Sequence, residues 1–214
     1  MTCRFNLQTR ASSKETSLVK KKQYREGLGV STALGRVYTA REREMVTALS
    51  FAFPDFLSIE SPKDTPEGER APMDGLLMRC RAGDEMPAVA YVYEAKTRNF
   101  NAAKLFGEYR GRALVDSGKL KNCQRASLLF GAPALLLLRL EDEDYFLVQR
   151  VVNADGTFTF VWNEKMMRIK NPCLPGYTNE LRTFVPMRNA KTCPLPLSNE
   201  SIRTQSNGER GVHH

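Results

Sequence analysis

The chain has 214 residues, with 32 Lys and Arg against 24 Asp and Glu and a net charge of +8. A chain of this length buries roughly 70% of the surface its unfolded form exposes, enough for one core without disulfide or metal staples. No stretch approaches the ~20 apolar residues that a membrane-spanning helix needs, and no apolar signal-peptide core opens the chain.

Residues 1–38 read as a basic arm: eight Lys and Arg stand against Glu15 and Glu26, with a run at Lys20, Lys21 and Lys22. The spacing predicts a first helix over 39–53. Thr39 and Glu42 form a capping box, and Met45, Val46, Leu49 and Phe53 share one face until Pro54 stops the helix. Residues 60–72 are rich in Pro, Glu and Lys and read as loop. Strands are predicted at 74–80 and 88–96, joined through Gly83-Asp84-Glu85 as a hairpin.

A helix is predicted over 102–117, with Leu105, Phe106, Tyr109 and Ala113 on one side. A second runs over 119–130 and ends at Gly131, with Pro133 beyond. Strands follow at 134–140, 144–152 and 157–162, the last two joined by the turn Asn153-Ala154-Asp155-Gly156. From about 168 the prolines at 172, 175, 186, 194 and 196 predict an irregular, basic extension over 168–214. The sum is one α/β domain over 39–167, a central mixed sheet flanked by helices, between two basic arms.

The residue types narrow the chemistry. The only histidines are His213 and His214, so catalysis by a histidine base or a His-ligated metal is not expected. The five cysteines include no C-x-x-C pair, which argues against a zinc site and for a reducing, cytoplasmic setting. Hydrolysis in such a chain runs on carboxylates, lysine and an oxygen-liganded metal. The basic arms suit a polyanionic partner held by phosphate neutralisation.

Three residues stand out. Asp74 lies where a loop enters a strand, in Pro72-Met73-Asp74-Gly75-Leu76, and Glu94 and Lys96 lie at the end of the next strand, in Tyr93-Glu94-Ala95-Lys96. Strand alternation puts Glu94 and Lys96 on one face with Ala88, Ala90 and Val92, and turns Tyr91 and Tyr93 to the other. Hairpin pairing can bring Asp74 opposite Glu94. Two such carboxylates suit Mg²⁺ or Mn²⁺, with Lys96 placed to orient a water or steady a phosphate. The competing reading is a strand-end salt bridge between Glu94 and Lys96, with Asp74 a turn residue. Glu42 shares the stripe of Met45, Val46 and Leu49, and serves either the site or the helix cap. Glu44 falls on the solvent side. Arg98, Lys104, Arg110 and Arg112 follow the motif and are candidates for phosphate contacts or for a solvated face. Gln124 reads as a surface residue, and Lys119, Lys121 and Arg125 as a basic strip.

The motif Pro72-Met73-Asp74 followed by Glu94-Ala95-Lys96 resembles the signature of the PD-(D/E)xK nucleases. The predicted order, a helix with an acidic residue, a motif-bearing hairpin, a helix and further strands, is similar to their core. Arg41 to Val46 and Leu120 to Leu140 look like the corresponding stretches of archaeal Holliday-junction resolvases. The resemblance spans about 39–152, and its proline stands one place earlier than in the signature. It implies that Asp74, Glu94 and the Ala95 carbonyl bind the metal, that Lys96 is catalytic, and that Glu42 is auxiliary. It further implies a DNA endonuclease, dimeric as the resolvases are. The nucleic-acid contacts are expected at Lys20, Lys21, Lys22, Arg98 and Lys104; the alternative is a nuclease-like fold that holds nucleic acid through its basic arms, Lys20, Lys21 and Lys22 among them, without cutting.

Overall fold

Met45, Val46, Ala48 and Leu49 form the buried face of helix α1 (Ala33–Ala52) in the computed structural model, which describes residues 33–60, 73–80, 86–170 and 177–195. The helix begins six residues before the predicted N-cap, so Thr39 lies inside it, and the arm predicted over 1–38 gives way to helix at Ala33. Phe53 lies just past its end and is half exposed, its ring meeting Phe56 edge-on at 6.0 Å.

The strands that follow are β1 (Phe56–Glu60), β2 (Gly75–Arg79), β3 (Ala88–Thr97), β4 (Arg112–Asp116), β5 (Ala134–Arg139), β6 (Tyr145–Val152), β7 (Glu164–Lys170), β8 (Tyr177–Pro186) and β9 (Lys191–Pro194). Two helices interrupt them, α2 (Ala102–Phe106) and α3 (Ser117–Phe130). Six strands make a mixed central sheet in the order β1-β2-β3-β5-β6-β9, and three make a smaller sheet in the order β4-β8-β7. Only β3 and β5 pair in parallel within the central sheet. A parallel pair needs a long crossover, and α2, β4 and α3 supply it.

The central sheet is buried on both faces where β3 and β5 meet. Leu135 and Leu137 join Tyr93 and Ala95 under α1; Leu136 and Leu138 join Val92 under α3 and the small sheet. Burying a leucine side chain contributes about 1.5–3 kcal/mol. The run from Ala134 to Leu138, buried at every position, is therefore a large contribution to the core, as its unbroken apolarity suggests.

Four expectations are corrected. The helix predicted over 102–117 is a one-turn helix followed by strand β4. The i, i+4 spacing of Leu105, Tyr109 and Ala113 is broken by Arg110 and Gly111, both at positive φ, and only Leu105 and Ala113 are buried. The segment 157–162 is no strand: it touches the sheet through one bridge, Val152 to Phe158, and packs Phe158, Phe160 and Trp162 against the core. Of the described residues after 168, most are strand and not irregular, because β7, β8 and β9 pair into the two sheets and carry the folded body past the boundary at 167; residues 171–176 and 196–214 lie outside the described residues. Strand β1 was not anticipated. β2 and β3 pair antiparallel as expected, the predicted connection Gly83-Asp84-Glu85 lying outside the described residues; α3 ends at Gly131 in the left-handed conformation (φ 61°), and Gly156 turns the chain at φ 78°. Among the described residues, no helix is long and apolar enough to cross a membrane.

Candidate metal-binding and catalytic site

The site lies at the N-terminal end of β2. Gly75, its first residue, pairs with β3 opposite Tyr93. One residue earlier, Asp74 donates its backbone N–H to the Tyr93 carbonyl (3.2 Å), and its side-chain Oδ2 accepts the Ala95 N–H (2.8 Å). The carboxylate thus satisfies a main-chain donor that the shortened strand leaves behind. Asp74 is 6% exposed. The hairpin register sets it beside Glu94, as strand pairing led one to expect.

Gly75 is required by what crosses it. A Cβ there would stand 2.5 Å from the Ile59 carbonyl oxygen and would also strike the Tyr93 ring, whose hydroxyl reaches Ser58 Oγ at 3.2 Å. Gly75→Ala is expected to cost about 1–3 kcal/mol, as overpacking does. It should lower the urea midpoint accordingly, and an unchanged midpoint would show that Tyr93 yields freely.

Glu94 is fully buried, on the face of β3 shared with Val92 and turned toward α3. Farther down that expected face burial fades, since Ala90 is half-buried and Ala88 exposed. Lys96 Nζ lies 2.5 Å from Glu94 Oε1 and 3.5 Å from Asp74 Oδ2, and it donates to the Ala95 carbonyl at 2.8 Å. The Lys96 side chain is 21% exposed, and so it is turned into the site rather than into bulk water. Lys119, in the first turn of α3, brings a second ammonium to 3.9 Å from Glu94 Oε2. Despite these charges, neither Glu94 oxygen accepts a well-directed hydrogen bond.

The electrostatics follow from burial. Desolvation pushes the Glu94 carboxyl above the ordinary glutamate range, with the charge of Asp74 adding to the effect and Lys96 and Lys119 opposing it. Burial alone would depress Lys96. The charges of Glu94, Asp74 and Glu42 outweigh it and hold the ammonium above the ordinary lysine range. Cys123 of α3 is buried nearby, and its thiol is pushed up by desolvation and by the charges of Glu94 and Asp74, which makes it a poor nucleophile.

The Glu94 shift has a testable consequence. A carboxyl whose folded value is raised contributes stability that is present in full below its unfolded value, here about 4.5. That contribution is lost as pH rises through the folded value. In EDTA, the wild type should therefore lose melting temperature relative to Glu94→Gln as pH is raised from about 4 to about 7. A difference between the two that does not vary over this window would contradict the assignment.

Glu42 of α1 is half-buried and lines a small pocket with Arg43, Val46, Glu60, Asp74, Tyr93 and Ala95. The pocket lies on the α1 side of the sheet, and Asp74 belongs both to it and to the Lys96 cluster. Glu44 is half exposed but pairs with Arg139 of β5, an anchor for α1 rather than a merely solvated charge.

The other candidates divide. Arg98 is turned inward, donating to the Leu114 carbonyl (2.6 Å) and the Thr97 carbonyl (3.2 Å), where it braces β3 against β4. Lys104 lies on α2, 3.7 Å from Glu108 and over the Tyr109 ring. Gln124 ties α3 to the Gly156 carbonyl at 2.9 Å, and Lys121 pairs with Glu164 at 2.7 Å. Lys20, Lys21, Lys22 and Pro72 lie outside the described residues.

Among the described residues, no three His, Cys, Asp or Glu side chains cluster tightly enough to enclose an ion by themselves. The donor set is two carboxylates and the Ala95 carbonyl. Oxygen donors of this kind, with two buried Glu94 oxygens poorly hydrogen-bonded, fit a hard divalent cation that keeps part of its water. Lys119 was read from the sequence only as part of a basic strip. The signal that it enters the site was the N-cap Asp116, whose side chain accepts the Lys119 N–H at 3.1 Å and so starts α3 two residues before the predicted start. No family model, curated protein or solved structure matches the chain.

Proposed function

We propose that the protein is a Mg²⁺- or Mn²⁺-dependent nuclease of the PD-(D/E)xK type that hydrolyses phosphodiester bonds in DNA, as an endonuclease. The observation that carries the reading is that Asp74, Glu94 and the Ala95 carbonyl all lie within 3.5 Å of one cationic centre, Lys96 Nζ. Asp74, Glu94 and the Ala95 carbonyl hold the ion, with Glu42 auxiliary from the α1 side. When bound, the ion supplies positive charge to a phosphate oxygen and to the water that attacks phosphorus. Lys96 orients that water and steadies the charge that builds on the pentavalent phosphate. The order of α1, the β2–β3 hairpin, α3 and β5 in one mixed sheet agrees with the restriction-endonuclease-like core that the motif implies.

The test uses labelled linear, single-stranded, nicked and four-way DNAs, incubated with Mg²⁺ and with EDTA. Product in Mg²⁺ and none in EDTA is expected on at least one of them. Inertness on all of them, with DNA still bound, would identify a nuclease-like fold that holds DNA and does not cut.

A further inference from the structure

We infer that Lys96 is the resident cation of this site: its ammonium and a divalent ion contend for the same three oxygens, so loading the ion requires the lysine to leave them. The inference rests on the metal-site reading above and adds the regulation of that site.

The geometry is specific. Lys96 Nζ lies 2.5 Å from Glu94 Oε1, 2.8 Å from the Ala95 carbonyl oxygen and 3.5 Å from Asp74 Oδ2. These are the three donors assigned to the ion. Mg²⁺ takes oxygen ligands at about 2.0–2.1 Å. An ion on these oxygens would stand within contact distance of the ammonium, and two cations cannot share that position. Lys119 is placed differently, at 3.9 Å from the other Glu94 oxygen, Oε2.

The arrangement solves a physical problem and creates a coupling. Two buried carboxylates with no cation between them repel each other and are costly to desolvate. Lys96, with Lys119 at the other Glu94 oxygen, offsets their charge without a metal and so keeps the β2–β3 end assembled. Its flexible four-carbon stem lets the ammonium swing away without moving the strand. The movement that opens the oxygens to the ion also frees Lys96 for the water and the phosphate. Metal loading and release of the catalytic lysine become one event.

Mn²⁺ binding to the full chain, followed by the electron-paramagnetic signal of the free ion, tests this. Lys96→Met should bind Mn²⁺ at least about tenfold more tightly than wild type, about 1.4 kcal/mol. Lys96→Arg, which keeps a cation in place, should stay near wild type. Lys119→Met removes an equal charge from the other side of Glu94 and should tighten binding clearly less than Lys96→Met.

Equal or weaker binding by Lys96→Met, or equal tightening by Lys119→Met, overturns the inference and leaves the metal site standing. Absence of Mn²⁺ binding from every form, wild type included, overturns the metal-site reading itself. Should Lys96→Met fail to fold, acylation of wild-type lysines by an amine-reactive reagent replaces it. Saturating Mn²⁺ should speed modification of Lys96 relative to Lys104, and an unchanged or slower rate overturns the inference.

Discussion

Asp74→Asn is expected to remove Mg²⁺-dependent cleavage while leaving the fold in place. The side chain has two separable roles. One is to accept the Ala95 N–H at 2.8 Å, which an amide oxygen can also do. The other is to present a negative charge beside Glu94, which an amide cannot. Loss of one preorganised electrostatic group typically costs about 10²–10³ in rate, and loss of a metal ligand should reach at least that range. A urea melt in EDTA reads the first role, and single-turnover cleavage of a competent DNA reads the second. Cleavage within about tenfold of wild type would show that Asp74 is a strand cap and not a ligand, since the charge-dependent factor would be missing.

Leu136→Ala should be the most damaging single core truncation on the site side of the sheet. Leu136 is fully buried and stands directly across from Glu94 in the β3–β5 register. Its neighbours Leu135 and Leu137 point the other way, so on its own strand only Ala134 and Leu138 flank the space. Truncations of this kind cost about 2–5 kcal/mol, a large part of the stability of a domain. The urea midpoint should fall by a corresponding amount. A loss below about 1 kcal/mol would mean that α3 collapses onto the gap, against the close packing expected of a core buried on both faces.

The site and the fold differ in how much of each was written locally. Asp74, Glu94 and Lys96 could be picked out because strand alternation and hairpin pairing are short-range rules, and both operate within 74–96. The cap at Asp116 and the stop at Gly131 are likewise local. The helix predicted over 102–117 failed for the opposite reason. Residues 112–116 become strand because β8, about seventy residues later, pairs with them, and no window around Ala113 contains that information.

The C-terminal prolines misled in the same way: a proline count describes backbone donors lost, not the partner strand that places Pro186 at the end of β8 and Pro194 at the end of β9. Composition, periodicity and turn chemistry by themselves determined an α/β chain with a buried strand at 134–138 and an acid–acid–lysine cluster at a hairpin end. Tertiary structure alone decided that Lys119 joins that cluster from α3, that Glu42 faces Asp74 across a pocket, that Arg98 turns inward to Leu114, and that Lys96 sits on the three oxygens instead of beside them. Those outcomes depend on through-space distances between elements far apart in the chain, and hydrophobic burial and charge compensation set such distances only when the whole core closes.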